Sequence, residues 1–398
     1  MATVRPFRAL RPHPDHAEAV ASVPYDVIDS TEARALAHGN PHSFLHVIRP
    51  EIDLPEGTDE HDEAVYEKGA ENLRRFAESE VFLEEDAPAI YVYQLVMNGR
   101  AQMGLFGLVS VAEYDDETIL KHEKTRPDKE DDRLRHILTQ RAHAEPVMLT
   151  YRGTDDLDGL VESATEADPL YDFTAKDYVH HTIWKVDDPA AVTRAFEEVE
   201  KLYVADGHHR CAAASRAAKA LPDVGGAQHF MAVLFPMEHM EILPYNRAIV
   251  HLPIGKQRFL EQLRHRFELE ESYFAEPEEP GTVGLYLGDG WHLLRLPETQ
   301  RDGVAATLDV ARLGEFVLEP LLGITDPRTD PNIRFVGGIR GTGELERLVD
   351  DGEAEVAFSM YPTSPEELLA VSDAGELMPP KSTWFEPKLR SGLLVHRF

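Results

Sequence analysis

One stretch limits what this chain can become. Leu202-Tyr203-Val204-Ala205, an apolar run of strand length, meets Asp206-Gly207, and His208-His209-Arg210 then opens an alanine-rich segment that reaches Leu221 before Pro222 stops it. The pattern predicts strand, tight turn and helix in immediate succession. Two histidines and an arginine then occupy the first helical turn, the wrong end for positive charge, because free N–H groups and the helix dipole already make it positive. That end is a ready anion site, with phosphate the usual occupant. Asp206 alone would read as an N-cap and Gly207 as a turn residue. Three consecutive nitrogen-rich side chains have no such structural need, so Asp206–Arg210 is read as a phosphate-binding turn.

Charge sharpens that reading. The chain of 398 residues carries 40 Lys and Arg against 72 Asp and Glu, a net charge of −32. Nucleic acid and acidic membrane surfaces are therefore unsuitable partners, since such binding depends on Lys and Arg neutralising phosphate. Islands of positive charge in so acidic a chain point to a local purpose. No apolar run approaches the roughly eighteen residues of a membrane span, and Met1–Phe7 lacks the apolar core of a signal peptide. A single cysteine, Cys211, excludes internal disulfides and cysteine-based zinc clusters. A cytoplasmic location is expected.

Periodicity supplies the organisation. Asp62–Glu80 has apolar or small residues at helical spacing, and Ser30-Thr31-Glu32 opens a shorter helix. Ile90–Met97 and Met103–Val111 pair as a hairpin, as do Val283–Leu287 and His292–Leu296. Pro146–Tyr151, Glu355–Met360 and His229–Phe235 read as strands, the last completing strand–helix–strand after the alanine-rich helix. Lys256–Phe267, Asp309–Leu322 and Pro365–Asp373 read as helices, and Ala275–Gly281 as a linker. The expected fold is α/β in the mixed α+β sense, with a region 1–274 carrying the turn and a smaller α/β region 275–398 whose basic tail docks on the site.

Two further islands accompany the turn. His122-Glu123-Lys124-Thr125-Arg126 follows the β-like Thr118–Leu120, a position that commonly presents reactive groups. Glu123 there suits a general base or a metal ligand, whereas the charges continuing to His136 also fit a solvated helix. The segment Met378–Phe398 holds four basic residues against one acidic; Lys381, Ser382, Thr383 and Lys388 all suit phosphate oxygens. Walker-type loops, G-x-G-x-x-G and G-x-S-x-G are absent from the sequence.

Taken together, Arg5-Pro6-Phe7-Arg8, Pro24–Ile28, His122-Glu123 with Thr125-Arg126, Asp206–Arg210, Leu243-Pro244 with Asn246-Arg247, and Met378–Lys388 resemble the bacterial domain-of-unknown-function family 1015, nearly end to end. The Asp-Gly-His-His-Arg turn is similar to that of the ParB/sulfiredoxin-like superfamily, whose strand-turn-helix binds nucleotide phosphates and which includes free-serine kinases. The resemblance implies a ParB/sulfiredoxin-like core within a larger mixed-sheet protein. It also implies a small-molecule kinase acting on L-serine to give O-phosphoserine, with ATP, ADP or pyrophosphate as donor and Mg²⁺ expected.

On that reading Gly207, His208, His209 and Arg210 cradle the donor phosphate, with His209 also catalytic, and Asp206 or Glu123 takes the acceptor proton or holds Mg²⁺. Lys381, Ser382, Thr383 and Lys388 close over phosphate or carboxylate oxygens. Tyr25, Asp26, His122, Arg126, Asn246 and Arg247 line the substrate. A metal-dependent phosphomonoester hydrolase and a non-catalytic nucleotide or phosphometabolite sensor use the same turn and stay open. A zinc enzyme is disfavoured, because adjacent histidines diverge on a helix. The expected partner is a small phosphorylated ligand, and a homodimer is compatible with the sequence.

Overall fold

The computed structural model describes residues 1–398, and its packing divides the chain into two units. The first comprises residues 1–121, 125–240 and 387–398; the second comprises 122–124 and 241–386. No helix is long and apolar enough to cross a membrane.

In the first unit one mixed sheet is built from β1 (Val4–Arg5), β2 (Tyr91–Met97), β3 (Arg100–Ser110), β4 (Ile119–Leu120), β5 (Val147–Tyr151), β6 (Tyr171–Thr174), β7 (His180–Lys185), β8 (Leu202–Asp206) and β9 (His229–Pro236). The order is β4-β8-β5-β9-β3-β2-β7-β6, with β1 pairing β3. The expected first hairpin is β2–β3. Its turn is tighter than the five-residue loop read from sequence: Asn98 and Gly99 both take positive φ, 53° and 80°, and Met97 faces Arg100. Two left-handed residues match the twist of the flanking strands, which is why Asn-Gly closes the hairpin directly.

Strand β8 runs antiparallel to β5 while β9 runs parallel to it, so the strand–helix–strand at 202–236 straddles β5 in a mixed sheet. The intervening helix is one of three that frame the site: α1 (Glu63–Ala77), α2 (Pro127–Gln140) and α3 (His208–Ala220). Its alanines serve two faces. Cys211, Ala214 and Ala218 pack in the sheet core with Val147, Leu149 and Val204, whereas Ala213 and Ala217 meet Ile137 of α2. Small side chains on both faces let the helix lie close between sheet and neighbour. Burial pushes the Cys211 thiol up to about 12, which leaves it inert.

The expected solvated helix after Lys121 is only half so. Helix α2 buries Asp132, Arg133, His136 and Ile137. At its other end the chain's last segment crosses the first unit: Ser391 exchanges backbone hydrogen bonds with Ser22, Val395 does so with Leu10, and His396–Arg397 pairs with Ala142–His143.

The second unit is an antiparallel sheet of β10 (Tyr245–Ile249), β11 (Glu268–Ser272), β12 (Thr282–Tyr286), β13 (Trp291–Arg295), β14 (Ile333–Gly337) and β15 (Val356–Met360), ordered β11-β13-β12-β15-β10-β14. Ala248, Tyr286, Trp291 and Val336 pack with Leu345, Leu348 and Val349 of the helix Gly341–Asp350. Strands β11 and β12 both pair with β13. Ala275–Gly281 is therefore a loop inside one sheet, and packing divides the chain at Met240/Glu241 instead of the 274/275 boundary drawn from composition. The helix expected at 309–322 forms, but its middle, Gly314–Leu318, is a π turn.

The histidines at the C-terminal strand make acid sensitivity a consequence of packing. His143 and His396 stack at 6.1 Å, and Phe398 lies 5.3 Å from His143. Burial, helped by His396, lowers His143 from 6.5 to about 3. The unfolded chain then binds the proton better between those values, so stability is lost as pH falls through that window. Urea unfolding midpoints measured from pH 7 downward are expected to drop, and His143→Phe is expected to flatten the slope; an unchanged slope would refute this origin.

Candidate functional site

At the end of β8 the backbone turns on Gly207, whose φ of 103° and ψ of 28° are left-handed, and α3 begins at His208. The N-cap is thus Gly207, which has no side chain to cap with, and not Asp206. A Cβ on Gly207 would stand 3.0 Å from both Arg210 Nε and Val147 Cγ1. Glycine is required here both for the torsion and for that close approach.

Around the turn lies a compensated charge cluster, all within the first unit. Lys388 Nζ reaches Asp206 Oδ2 at 3.2 Å, and an Arg210 terminal nitrogen lies 3.8 Å from Asp206 Oδ1. Although burial opposes it, Lys388 and then Arg210 and His208 hold the Asp206 carboxyl far below the usual range. Its side chain nonetheless stays 26% accessible, against 12% for Lys388 and 9% for Arg210, so the carboxylate is the group an incoming ligand reaches. Arg210 donates to the Pro146 carbonyl, while its Nε is buried without a hydrogen-bond partner. An orphaned donor beside a helix N-terminus is an unusual cost in a folded protein.

Deeper in, Arg133 lies under the ring of Tyr25 at 3.7 Å and bonds Asp132 and Glu145, at 2.6 Å and 3.2 Å. Tyr25 N–H donates to Glu145 Oε1 at 3.3 Å. Burial pushes the Glu145 carboxyl up, opposed by Arg133 and Arg210 and aided by Asp26, so Tyr25, Asp26, Arg133, Glu145 and Arg210 share one field. Against burial, Arg133 holds Asp132 down at about 2. A cavity of about 30 Å³, room for a water molecule, lies between Arg133, His136, Glu145 and Arg210.

His209 is partly exposed, and its Nε2 accepts the backbone N–H of Arg126 at 3.1 Å, which places the proton of a neutral ring on Nδ1. The Arg126 side chain itself is exposed and paired with Asp128.

The structure therefore gathers Tyr25, Asp26, Asp206, Gly207, His208, His209, Arg210 and Lys388, and brings the backbone of Arg126 to His209. His122, Glu123, Asn246, Arg247, Lys381, Ser382 and Thr383 belong to the second unit. There the His122 carbonyl accepts from Met378 N–H, Asn246 Oδ1 accepts from Met360 N–H, and Ser382 Oγ donates to the Pro379 carbonyl at 2.7 Å. Arg133 and Glu145 escaped the sequence reading. Arg133 had as its only signal a charged face on α2 at helical spacing, which solvent exposure explains equally well, and Glu145, in the loop before β5, had none.

No group of three or more His, Cys, Asp or Glu is arranged to hold a metal ion. With Asp206 already engaged by Lys388 and Arg210, its surroundings do not fit a resident Mg²⁺.

Solved structures with some likeness are distant. A conserved hypothetical protein from Pyrococcus furiosus is 14% identical with a TM-score of 0.37, covering 73% of this chain and 94% of its own. A free serine kinase in complex with AMP is 13% identical with a TM-score of 0.39, at 73% and 91% coverage. A C-terminally truncated SbnI from Staphylococcus aureus is 17% identical with a TM-score of 0.39, at 73% and 87%. No curated protein sequence matches the chain. The family model described as "Protein of unknown function (DUF1015)" matches residues 4–311, and the chain belongs to that family.

Proposed function

We propose that the chain is a small-molecule phosphotransferase that converts free L-serine to O-phospho-L-serine, with ATP, ADP or pyrophosphate as donor. The observation that carries the reading is the uncapped, left-handed Gly207 turn at the N-terminus of α3, with the orphaned Arg210 Nε beneath it. Serine as acceptor rests on the likeness of Asp206–Arg210 to the turn of free-serine kinases.

The donor phosphate sits against the first N–H groups of α3, within reach of His209 and Lys388. Phosphoryl transfer asks mainly for positioned positive charge, and the buried Arg210 supplies it from below. An arriving phosphate competes with Asp206 for Lys388. The released carboxylate then orients the acceptor hydroxyl. The bond from phosphorus to the donor oxygen breaks as the bond to serine Oγ forms, the donor leaves with the electron pair, and the hydroxyl proton passes to carboxylate or water. In a loose transition state the carboxylate need only accept that proton late.

Phosphorus NMR of the protein with Mg²⁺, L-serine and each donor in turn is expected to show a new phosphomonoester signal with one of them. Phosphate release from added phosphoserine without that signal would reassign the chain as a hydrolase. His209→Ala and Arg210→Ala are expected to lower turnover about 100-fold or more while unfolding stays cooperative; full activity in both would sink the reading. Gly207→Ala is expected to cost about 1–2 kcal/mol for the left-handed torsion, seen as a lower denaturation midpoint, and to abolish phosphate binding by shifting Arg210.

A further inference from the structure

The second unit contains a buried cation without a counter-charge. Arg247 in the middle of β10 is 3% exposed. It donates to the carbonyls of Tyr245 and Lys381, the latter at 2.9 Å, and its guanidinium lies 5.5 Å from the Phe335 ring centre. No carboxylate pairs with it. Burial pushes its pKa down to about 9, opposed by Tyr245 alone. Taking an unpaired charge out of water costs several kcal/mol, whereas the buried Arg133 and Arg210 both have carboxylates beside them.

Arg247 lines a cavity of about 180 Å³, with Leu318, Ile324, Phe335 and Pro379 among its apolar walls. Glu315 and Glu319 also border it, but both face Arg301, at 3.5 Å and 3.4 Å. Two further irregularities converge on the same place. The wall from Gly314 to Leu318 is the π turn of the 309–322 helix, a distortion that recurs at functional sites. Lys381, whose carbonyl Arg247 holds, is a non-glycine residue at φ 58°, strain of the sort that persists where the surroundings demand it.

We propose that this cavity is a binding site for a small monocarboxylate, an α-amino acid included, whose carboxylate supplies the counter-charge missing from Arg247. A guanidinium has N–H donors to spare beyond the two carbonyls, and its planar fork matches a carboxylate. A phosphate dianion is disfavoured: Arg301, the other cation on the wall, is already engaged by Glu315 and Glu319, so the second negative charge would go uncompensated. The inference does not depend on phosphate transfer at the Gly207 turn.

The test is calorimetric titration of the full chain with L-serine, L-alanine, propionate and inorganic phosphate, without any phosphoryl donor. Alanine and propionate have no hydroxyl to phosphorylate, so their binding answers separately from the kinase reading. The carboxylates are expected to bind and phosphate is not. Arg247→Lys is expected to weaken binding at least about tenfold, in keeping with loss of a bidentate pair. Because Arg247 also supports two carbonyls, a second variant leaves it alone: Gly314 has ordinary helical φ and open space where a Cβ would stand, so Gly314→Leu is expected to fold cooperatively and to block the cavity. Preferential binding of phosphate, no binding of any carboxylate at millimolar concentration, or carboxylate binding unchanged in both variants would each overturn the proposal.

Discussion

Compensation of buried guanidinium groups is the constraint to which the first unit is organised. Arg133 and Arg210 are both withdrawn from water, and each survives there because carboxylates lie beside it: its chain neighbour Asp132 and the more distant Glu145 for one, and Asp206, one helical turn back, for the other. Removing a single partner from such a set leaves an uncompensated buried charge, which is far more damaging than the modest net value of the pair suggests. The strand, the turn and two helices are therefore tied to one another by charge as well as by apolar packing. Asp206 is the exposed member, and for that reason the place where the balance can be changed from outside.

The alanine-rich helix gives this cluster its rigidity. With Cys211, Ala214 and Ala218 against the sheet and Ala213 and Ala217 against α2, α3 packs through small side chains beyond its first turn, where His208 and Arg210 are the larger buried groups. The N-terminal turn is thus held at a fixed height above β5. That suits a site which must aim backbone N–H groups at a ligand, since misplacement by about 1 Å can cost a hundredfold in rate.

Local grammar in the sequence was readable and long-range pairing was not. The apolar run at 202–205, the Asp-Gly turn and the alanine helix each announce themselves within a few residues, and so does the Asn-Gly hairpin. The charges on α2 do not: a helix that turns Asp132, Arg133 and His136 inward looks, residue by residue, like one that turns them to solvent. The division between units was misplaced for a related reason. Ala-Glu-Pro-Glu-Glu-Pro-Gly has the composition of a linker, yet β13 bonds to the strands on both sides of it. The basic tail was legible as an island of charge. That Lys388 in particular pairs with Asp206, and that Lys381–Thr383 are built into the second unit, depends on where the chain re-enters the first unit.

That re-entry has a consequence for how the protein is made. Lys388 follows Asp206 by 182 residues, and the bulk of the second unit is synthesised between them. At ordinary translation rates the interval is roughly ten to forty seconds. Throughout it the nascent first unit carries its turn and Arg210 but lacks both the lysine partner of Asp206 and the strand that closes over His143. The cluster is completed only after the second unit has been synthesised, so a chain cut short within that unit has an unfinished centre.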